Sequence, residues 1–191
     1  MSYCMSCDLG NCGRTIPAES KETRSCGLFI VGRNPGEDED RIGRPFVGVA
    51  GQLLDVVLQA AGLIRSEIYI TNLCKCFSPN NREPKTQEIL TCSSKYLEVE
   101  IIAGKPKVVV ALSATVISYF TGIKNVSVAM KQKIIKLPER GFVVVPTYHP
   151  SALCRQGITV KNFNQKKPTA YIESFVTARK AWEIFKKHGK I

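Results

Sequence analysis

The sequence predicts an α/β fold in which helices cover both faces of a mainly parallel sheet. Two observations carry this prediction: short apolar runs rich in β-formers alternate with segments of helical periodicity, and the run Val108–Leu112 is apolar without interruption. Alternating strands and helices are typical of a parallel sheet. A strand with no polar alternation is typical of a sheet covered on both faces. We therefore expect a three-layer α/β/α sandwich around four strands.

The four expected strands are short, apolar and followed by polar or proline-containing loops, and they span residues 27–31, 68–72, 108–112 and 142–146. Apolar side chains at helical spacing predict helices over residues 53–61, 84–103, 115–120 and 170–188. Residues 1–26 lack a strong period and are expected to form an extended arm. Residues 157–169 are basic and rich in turn formers, and are expected to form a surface loop.

The length, apolar fraction and net charge of the chain exclude some classes of protein and favour others. The chain has 191 residues, which predicts a single domain over residues 1–191. An apolar fraction of 44% excludes a disordered chain, and no apolar run approaches the roughly 20 residues that cross a bilayer. Because the N-terminus carries no secretory leader pattern, we expect a protein of the cytoplasm or nucleoid. The net charge of +11 favours DNA or RNA as partner, although a generally basic proteome would give the same surplus.

Eight cysteines are the most informative part of the composition: Cys4, Cys7, Cys12, Cys26, Cys74, Cys76, Cys92 and Cys154. In a reducing compartment a disulfide framework is disfavoured, so metal ligation explains at least some of them better. Only Cys4 and Cys7 form a C-x-x-C pair. A site with four thiolates must therefore be completed by cysteines distant in sequence.

Three unusual loops begin where the expected strands end, at Gly32, Asn72 and Pro146. Ligands of parallel sheets bind beyond the carboxyl ends of the strands. In the first loop, Gly32-Arg33-Asn34-Pro35-Gly36, glycines around a proline let backbone amides approach a ligand. The third loop carries His149, one of only two histidines, and a histidine before a proline at a strand exit favours a site over a core position.

Taken together, these loops resemble the uracil-DNA glycosylase superfamily, specifically its iron–sulfur family 4. The matching blocks are E-D-R-x-G-x-P-F-V-G-x-A-G-Q-L-L at residues 39–54, I-T-N-x-x-K-C-x-x-P at 70–79, N-R-x-P at 81–84 and T-x-H-P at 147–150, followed by a Leu and an Arg up to residue 155. The resemblance covers nearly the whole chain and is specific as a combination. It implies a monomeric, monofunctional glycosylase that removes uracil from single- or double-stranded DNA in base excision repair.

The resemblance also implies a [4Fe–4S] cluster with a structural role, held by Cys4, Cys7, Cys76 and Cys92. A zinc site with four cysteines has the same ligand count and stays open as an alternative. The other cysteines would be ordinary thiols. Among them Cys74 is the main rival ligand, since it precedes Cys76 by only two residues.

Roles for the loop residues follow from the same resemblance. Phe46 is expected to stack on a base extruded from the duplex, Asn72 to read the uracil edge, and neutral His149 to hydrogen-bond the carbonyl that gains charge. Backbone amides near Gly36, with Asn81 and Ser151, are expected to hold flanking phosphates. Residues 152–155 are expected to fill the gap left by the extruded nucleotide. The substrate-binding residues expected besides Phe46 and Asn72 are Gly32, Arg33, Gly36, Asn81, Ser151 and Arg155.

The first loop departs from the pattern of family 4. That family usually has G-E-A-P-G, whereas residues 32–36 read G-R-N-P-G, closer to the G-I-N-P-G of the mismatch-specific uracil and thymine glycosylases. This likeness implies that Asn34 positions the hydrolytic water, with a plain turn residue as the alternative. Glu39 is the nearest carboxylate, and it would either orient water or shape the pocket.

Three other functions are open to the same residues. The runner-up is a weak or inactive glycosylase-like module that binds DNA, with the Arg33 guanidinium filling the pocket. A branch of the superfamily that bonds covalently to the sugar through its histidine has a basic insertion before that histidine, which residues 144–148 lack. A general iron–sulfur binder of nucleic acid would need no pocket, and Phe46, Asn72 and His149 argue against it.

Overall fold

The computed structural model describes residues 4–20 and 27–189 and is built around a five-stranded sheet. The strands are β1 (Leu28–Gly32), β2 (Tyr69–Asn72), β3 (Val108–Leu112), β4 (Ile135–Leu137) and β5 (Phe142–Thr147). Their spatial order is β2-β1-β3-β5-β4. Strands β1, β2, β3 and β5 run parallel, and β4 is antiparallel to β5. The predicted mainly parallel α/β sheet is confirmed.

The expectation of four strands was wrong by one, because β4 was not foreseen. This strand has three residues, and Ile135 and Leu137 are half-buried while Lys136 between them is exposed. Three residues are too few for a periodic pattern to be recognised. An edge strand with a lysine facing solvent is one way in which proteins discourage further strand pairing.

Helices pack on both faces of the sheet. Within the described ranges they are α1 (Glu37–Ile42), α2 (Val49–Ala60), α3 (Thr86–Cys92), α4 (Glu98–Gly104), α5 (Ala114–Thr121), α6 (Val126–Lys131), α7 (Ser151–Arg155), α8 (Phe163–Lys166) and α9 (Thr169–His188). A π-helical turn, Ser93–Leu97, joins α3 to α4, so the single helix expected over residues 84–103 is interrupted by a bulge. Short 3-10 turns occur at Asp8–Asn11, Arg65–Glu67, Pro79–Asn81 and Pro138–Arg140.

The two faces of the sheet bury different residues of each strand. In β1, Leu28 and Ile30 join the apolar cluster that contains α2 and α9, whereas Phe29 and Val31 join the cluster that contains α5. Each of these four side chains is fully buried. Burial of one such side chain contributes about 1.5–3 kcal/mol to folding. Alternation between two cores explains why these strands carry apolar residues at every position.

Residues 157–169 are not simply a surface loop. The side chains of Ile158 and Phe163 are buried in the cluster with α9, and Phe163 begins α8. The expectation was wrong for these two residues because isolated apolar positions in a polar segment show no period. Lys161 and Lys166 are exposed, as a basic surface segment requires.

The described part of the N-terminal arm lies along the segment that follows β2. The amide of Ile16 donates to the carbonyl oxygen of Lys75 at 2.8 Å, and Glu19 forms an isolated bridge with Ile70. The rest of the predicted arm, including Cys26, lies outside the described residues. A search of the helices in the described ranges finds none with the length and apolar character that a bilayer span requires.

The register of the sheet determines where the loops emerge. Gly32 at the end of β1 is aligned with Asn72 at the end of β2, and Leu112 of β3 is aligned with Thr147 of β5. Because these strands are parallel, the loops after them leave from one edge of the sheet.

Candidate active site

A cavity of about 1000 Å³ opens at this edge. Nearly all the loop residues predicted from the sequence line it: Arg33, Asn34, Gly36, Glu39, Phe46, Asn72, Asn81, His149, Ser151 and Arg155. Gly32 lies against two of them, since a Cβ atom there would be 2.3 Å from Asn72 Oδ1 and 2.5 Å from Phe46 Cζ. The absence of a side chain at Gly32 is therefore what lets Asn72 and Phe46 come together.

Phe46 forms an aromatic wall of the cavity. Its backbone has a φ of +52°, which is uncommon for a bulky residue. Its ring lies 5.9 Å from the ring of His149, centroid to centroid, with 30° between the planes. A flat apolar surface beside an imidazole suits a planar, polar ligand that stacks on the first and hydrogen-bonds to the second.

Asn72 places an amide at the end of β2. The side chain is 4% exposed, and its Oδ1 atom is buried with no hydrogen-bond partner among the described residues. A buried unpaired polar atom costs about 1–3 kcal/mol, so it is found where a ligand will supply the missing partner. The oxygen of Asn72 thus indicates a ligand that offers an N–H or O–H donor.

The hydrogen bonds of His149 determine which ring nitrogen carries the proton. The amide of Ser151 donates to Nδ1 at 3.2 Å, and the Ser151 hydroxyl lies 2.9 Å from the same atom. A backbone amide can only donate, so Nδ1 accepts and the neutral ring is protonated at Nε2. Removal of the ring from water, together with the positive charges of Arg33 and Arg155, lowers the pKa of His149 to about 4. The ring is therefore a neutral donor at physiological pH.

Arg33 links the loop after β1 to the loop after β2 at the wall of the cavity. Its Nη1 atom forms an ion pair with Glu83, and its Nη2 atom donates to Asn81 Oδ1 at 2.7 Å. Its Nε atom donates to Asn34 Oδ1 at 2.6 Å. Three separate partners hold the guanidinium at the side of the cavity.

Asn34 is consequently oriented by its neighbour. Its Oδ1 atom accepts from Arg33, and its Nδ2 atom donates to the carbonyl oxygen of Pro35 at 2.9 Å. An amide oxygen has two lone pairs, so one of them stays available to a water molecule. The placement of a water by Asn34 remains a prediction.

Glu39 holds the first loop to the loop that carries Phe46. Its Oε2 atom accepts from the amide of Gly36 at 2.9 Å, and its Oε1 atom accepts from the amides of Val47 and Gly48, both at 2.8 Å. A carboxylate that accepts three backbone hydrogen bonds is a rigid brace. Of the two roles expected for Glu39, this geometry favours shaping the pocket over orienting water.

Five of the described cysteines lie together in a second group, the thiol cluster. Cys4, Cys74, Cys76 and Cys92 are buried in one cluster with Cys7 at its edge. The seven described cysteines are all free thiols. The amide of Lys75 donates to Cys92 Sγ at 3.1 Å. Although burial raises the pKa of the Cys4 thiol, hydrogen bonds from Ser6 and Tyr96 and the charge of Lys95 lower it to about 7. The Cys4 thiolate is thus stabilised, whereas burial raises the pKa of the Cys76 thiol to about 11.

Comparison with known proteins connects the cavity and the thiol cluster. The family model of the Uracil DNA glycosylase superfamily matches residues 21–173. A Type-4 uracil-DNA glycosylase of Thermotoga maritima is 41% identical over 156 residues, which cover 80% of this chain and 78% of that protein. The chain belongs to the type-4 uracil-DNA glycosylase family. Enzymes of this type from Saccharolobus solfataricus and Archaeoglobus fulgidus are each 36% identical, over 78% of this chain and 71% and 77% of their own lengths.

The thiol cluster fits the [4Fe–4S] group that the resemblance to family 4 implies. All four expected ligands, Cys4, Cys7, Cys76 and Cys92, belong to it, and sulfur is the donor such a group requires. Among the described residues, no three His, Cys, Asp or Glu side chains surround a point that would suit a single metal ion. In a four-iron cluster each cysteine binds a different iron, so the sulfur atoms need not converge on one point.

Two residues that line the cavity, Ser113 and Glu83, were not among those predicted from the sequence. Ser113 follows β3 with φ +107° and ψ 159°, a conformation essentially restricted to glycine, and its buried Oγ atom has no partner among the described residues. Glu83 binds both Arg33 and the Thr115 hydroxyl, the latter at 3.0 Å. A polar residue directly after an apolar strand is the signal that identified Asn72, and it would have identified Ser113. Nothing in the sequence pairs Glu83 with Arg33.

Proposed function

We propose that this protein hydrolyses the N-glycosidic bond of deoxyuridine in DNA and so begins base excision repair. The observation that carries the proposal is the convergence of Phe46, Asn72 and His149 on one cavity, in a chain 41% identical to a Type-4 uracil-DNA glycosylase. A base inside a duplex is out of reach of any cavity, so the target nucleotide must first be extruded.

Recognition of the extruded base uses the aromatic wall and the amide. Phe46 stacks on one face of uracil. Asn72 offers an acceptor and a donor on one planar group, which matches the N–H and the adjacent carbonyl of the uracil edge. The unpaired Oδ1 atom of Asn72 supports this role, because the uracil N–H supplies the donor that it lacks.

Bond cleavage places negative charge on the departing base and positive charge on the sugar. As the C1′–N1 bond breaks, its electron pair moves into the uracil ring and toward a carbonyl oxygen. The Nε2–H group of His149 donates to that oxygen, and a preorganised donor of this kind contributes on the order of 10²–10³ in rate. A ring with a pKa of about 4 is neutral at physiological pH, and its proton is on Nε2 because Nδ1 accepts from the Ser151 amide.

The water that attacks C1′ is held by Asn34. An amide cannot accept a proton as a base, so the residue acts by orientation, and the dissociative step limits the rate. Arg33 fixes the Asn34 amide through the bond to Oδ1. Glu39 acts on the pocket by bracing the backbone around Gly36 and Val47.

Residues at the rim of the cavity bind the DNA strand beside the target nucleotide. Backbone amides near Gly36, the Asn81 amide and the Ser151 hydroxyl bind flanking phosphates, and Arg155 lies 3.3 Å from the Ser151 hydroxyl. Residues 152–155 fill the space that the nucleotide leaves. The net charge of +11 supports binding to DNA, either single- or double-stranded. The protein is proposed to act as a monomer.

Cys4, Cys7, Cys76 and Cys92 would hold a [4Fe–4S] cluster, and their ligation would tie the N-terminal arm to the sheet. Substitution of Cys76 by Ser is expected to remove the brown colour and lower the thermal midpoint. Cys12→Ser, an exposed thiol outside the cluster, is the control. Stoichiometric zinc with no iron in the purified protein would replace the iron–sulfur assignment by the four-cysteine zinc site.

Cleavage of labelled oligonucleotides with a single U, alone and opposite G or A, tests the activity after alkali breaks the abasic site. The expected result is cleavage at U by the wild type and a loss of about 10²–10³ in rate in His149→Ala. The matched control is His188→Ala, at the exposed end of α9. Tight binding to the same strands without cleavage would support the runner-up, the inactive DNA-binding module.

A further inference from the structure

Cys74 lies in the thiol cluster although it is not one of the four cysteines assigned to the iron–sulfur group. We propose that Cys74 is a reserve ligand of the [4Fe–4S] cluster, able to replace Cys92 on its iron. The inference rests on the proposed cluster. It concerns which thiols of this chain can hold that cluster.

The backbone presents Cys74 and Cys76 to the same cluster. Cys74 is fully buried and Cys76 is 4% exposed, and both pack with Cys92. The side chain of Lys75 between them instead forms a buried ion pair with Glu100, N to O 2.8 Å, and a hydrogen bond to Thr71. This ion pair anchors the segment between the two cysteines, so both sulfur atoms stay on the cluster side.

Cys74 and Cys92 are both buried in the thiol cluster. The amide of Lys75, the residue directly after Cys74, donates to Cys92 Sγ at 3.1 Å. This hydrogen bond places the Cys92 sulfur against the backbone beside Cys74. The two thiols therefore belong to the same part of the cluster, where one could replace the other as a ligand.

The remaining described thiols lack this placement. Cys12 is exposed and its thiol donates to the carbonyl oxygen of Asp8 at 3.4 Å. Cys154 is half-buried in α7, where its thiol lies 3.7 Å from the carbonyl oxygen of Pro150. Neither belongs to the thiol cluster, so both serve as controls.

The exchange needs no outside reagent. The bond between iron and Cys92 sulfur breaks, a bond between iron and Cys74 sulfur forms, and the proton of the Cys74 thiol passes to the released Cys92 sulfur. Charge and iron oxidation state are unchanged. A spare thiol would therefore preserve the cluster when Cys92 is lost to substitution or oxidation.

Iron content and visible absorbance of anaerobically purified variants test the proposal. Cys92→Ser is expected to retain iron at close to the wild-type level, and the double variant Cys74→Ser/Cys92→Ser to lose it. Cys4→Ser is the matched ligand control, because Cys4 belongs to the N-terminal arm and its sulfur accepts from Lys95 Nζ at 3.6 Å, and it is expected to lose iron. Loss of iron in Cys92→Ser to the extent seen in Cys4→Ser would overturn the reserve role of Cys74. A wild type without iron would instead overturn the cluster itself.

A second measurement does not depend on the folding of Cys92→Ser. Iron release from the otherwise intact protein to a strong chelator is followed by absorbance. Cys74→Ala is expected to accelerate release about tenfold, since a thiol that recaptures iron is lost. Cys12→Ala and Cys154→Ala are expected to match the wild type. Equal release rates for Cys74→Ala and the wild type would contradict the proposal.

Discussion

The guanidinium of Arg33 donates from Nε to the side-chain oxygen of Asn34 at 2.6 Å, and this bond sets the geometry of the first loop. From the sequence, Arg33 was expected to bind the substrate and Asn34 to position the hydrolytic water. In the structure they are one unit, anchored through Glu83 and Asn81 to the loop after β2. Arg33 stands where family 4 usually has Glu. It orients Asn34, the residue proposed to position the hydrolytic water.

Arg33→Ala is therefore expected to slow uracil release by about 10²-fold, because the Asn34 amide loses the partner that orients it. Single-turnover cleavage of U-containing DNA measures the effect. Arg41→Ala is the control, since Arg41 is an exposed arginine that forms an ion pair with Asp38 of the same helix. An Arg33→Ala enzyme as fast as or faster than the wild type would mean that the guanidinium obstructs the cavity.

Asn34→Ala is expected to cut uracil release by orders of magnitude and to leave DNA affinity nearly unchanged, because the role proposed for Asn34 is to orient water and not to hold a phosphate. Cleavage rates and binding isotherms on the same oligonucleotide separate the two effects. Turnover retained in Asn34→Ala but lost in Glu39→Gln would transfer the water-orienting role to Glu39.

The lowered pKa of His149 predicts two dependences on pH. Protonation of Nδ1 would break the hydrogen bond from the Ser151 amide that orients the ring, so under the proposed mechanism the single-turnover rate should fall only as the pH falls through about 4. The unfolded ring has a pKa of 6.5, so between 6.5 and about 4 the unfolded chain binds more protons than the folded one. The folded state therefore loses stability as pH falls across this window.

Urea unfolding of the wild type and His149→Gln at pH 7 and pH 5 measures the second dependence. The wild type should lose more free energy of unfolding between the two pH values than the variant does. Equal losses would show that the ring titrates normally in the folded protein.

Ser113→Gly is expected to raise the free energy of unfolding by about 1–3 kcal/mol, because glycine adopts the conformation at φ +107° without strain. Removal of the unpaired hydroxyl acts in the same direction. Thermal unfolding measures the gain as a higher midpoint. Ser113→Ala keeps the backbone strain while it removes the hydroxyl, and its midpoint should lie below that of Ser113→Gly. A Ser113→Gly midpoint at or below the wild-type value would show that the serine is unstrained.

Local patterns of residues accounted for the layered sheet, the longer helices and the set of loops that forms the cavity. The apolar runs determine strands because each must bury two faces, and parallel strands bring their carboxyl ends to one edge. The expectation that Phe46, Asn72 and His149 meet at this edge followed from the loops at the strand ends and from the resemblance to family 4. Strand β4 and the burial of Ile158 and Phe163 did not follow, since short or isolated apolar positions carry no period.

The sequence by itself therefore determined the family, the architecture and which side chains face the cavity. Only the tertiary structure decided how they are connected: Arg33 bonds to Asn34 and Glu83, Glu39 accepts from three backbone amides, and Cys74 and Cys92 are buried in one cluster. The physical reason is that periodicity reports which side of an element is buried, whereas a hydrogen bond depends on distances and angles between atoms far apart in the chain. Such distances exist only once the sheet has brought the loops together.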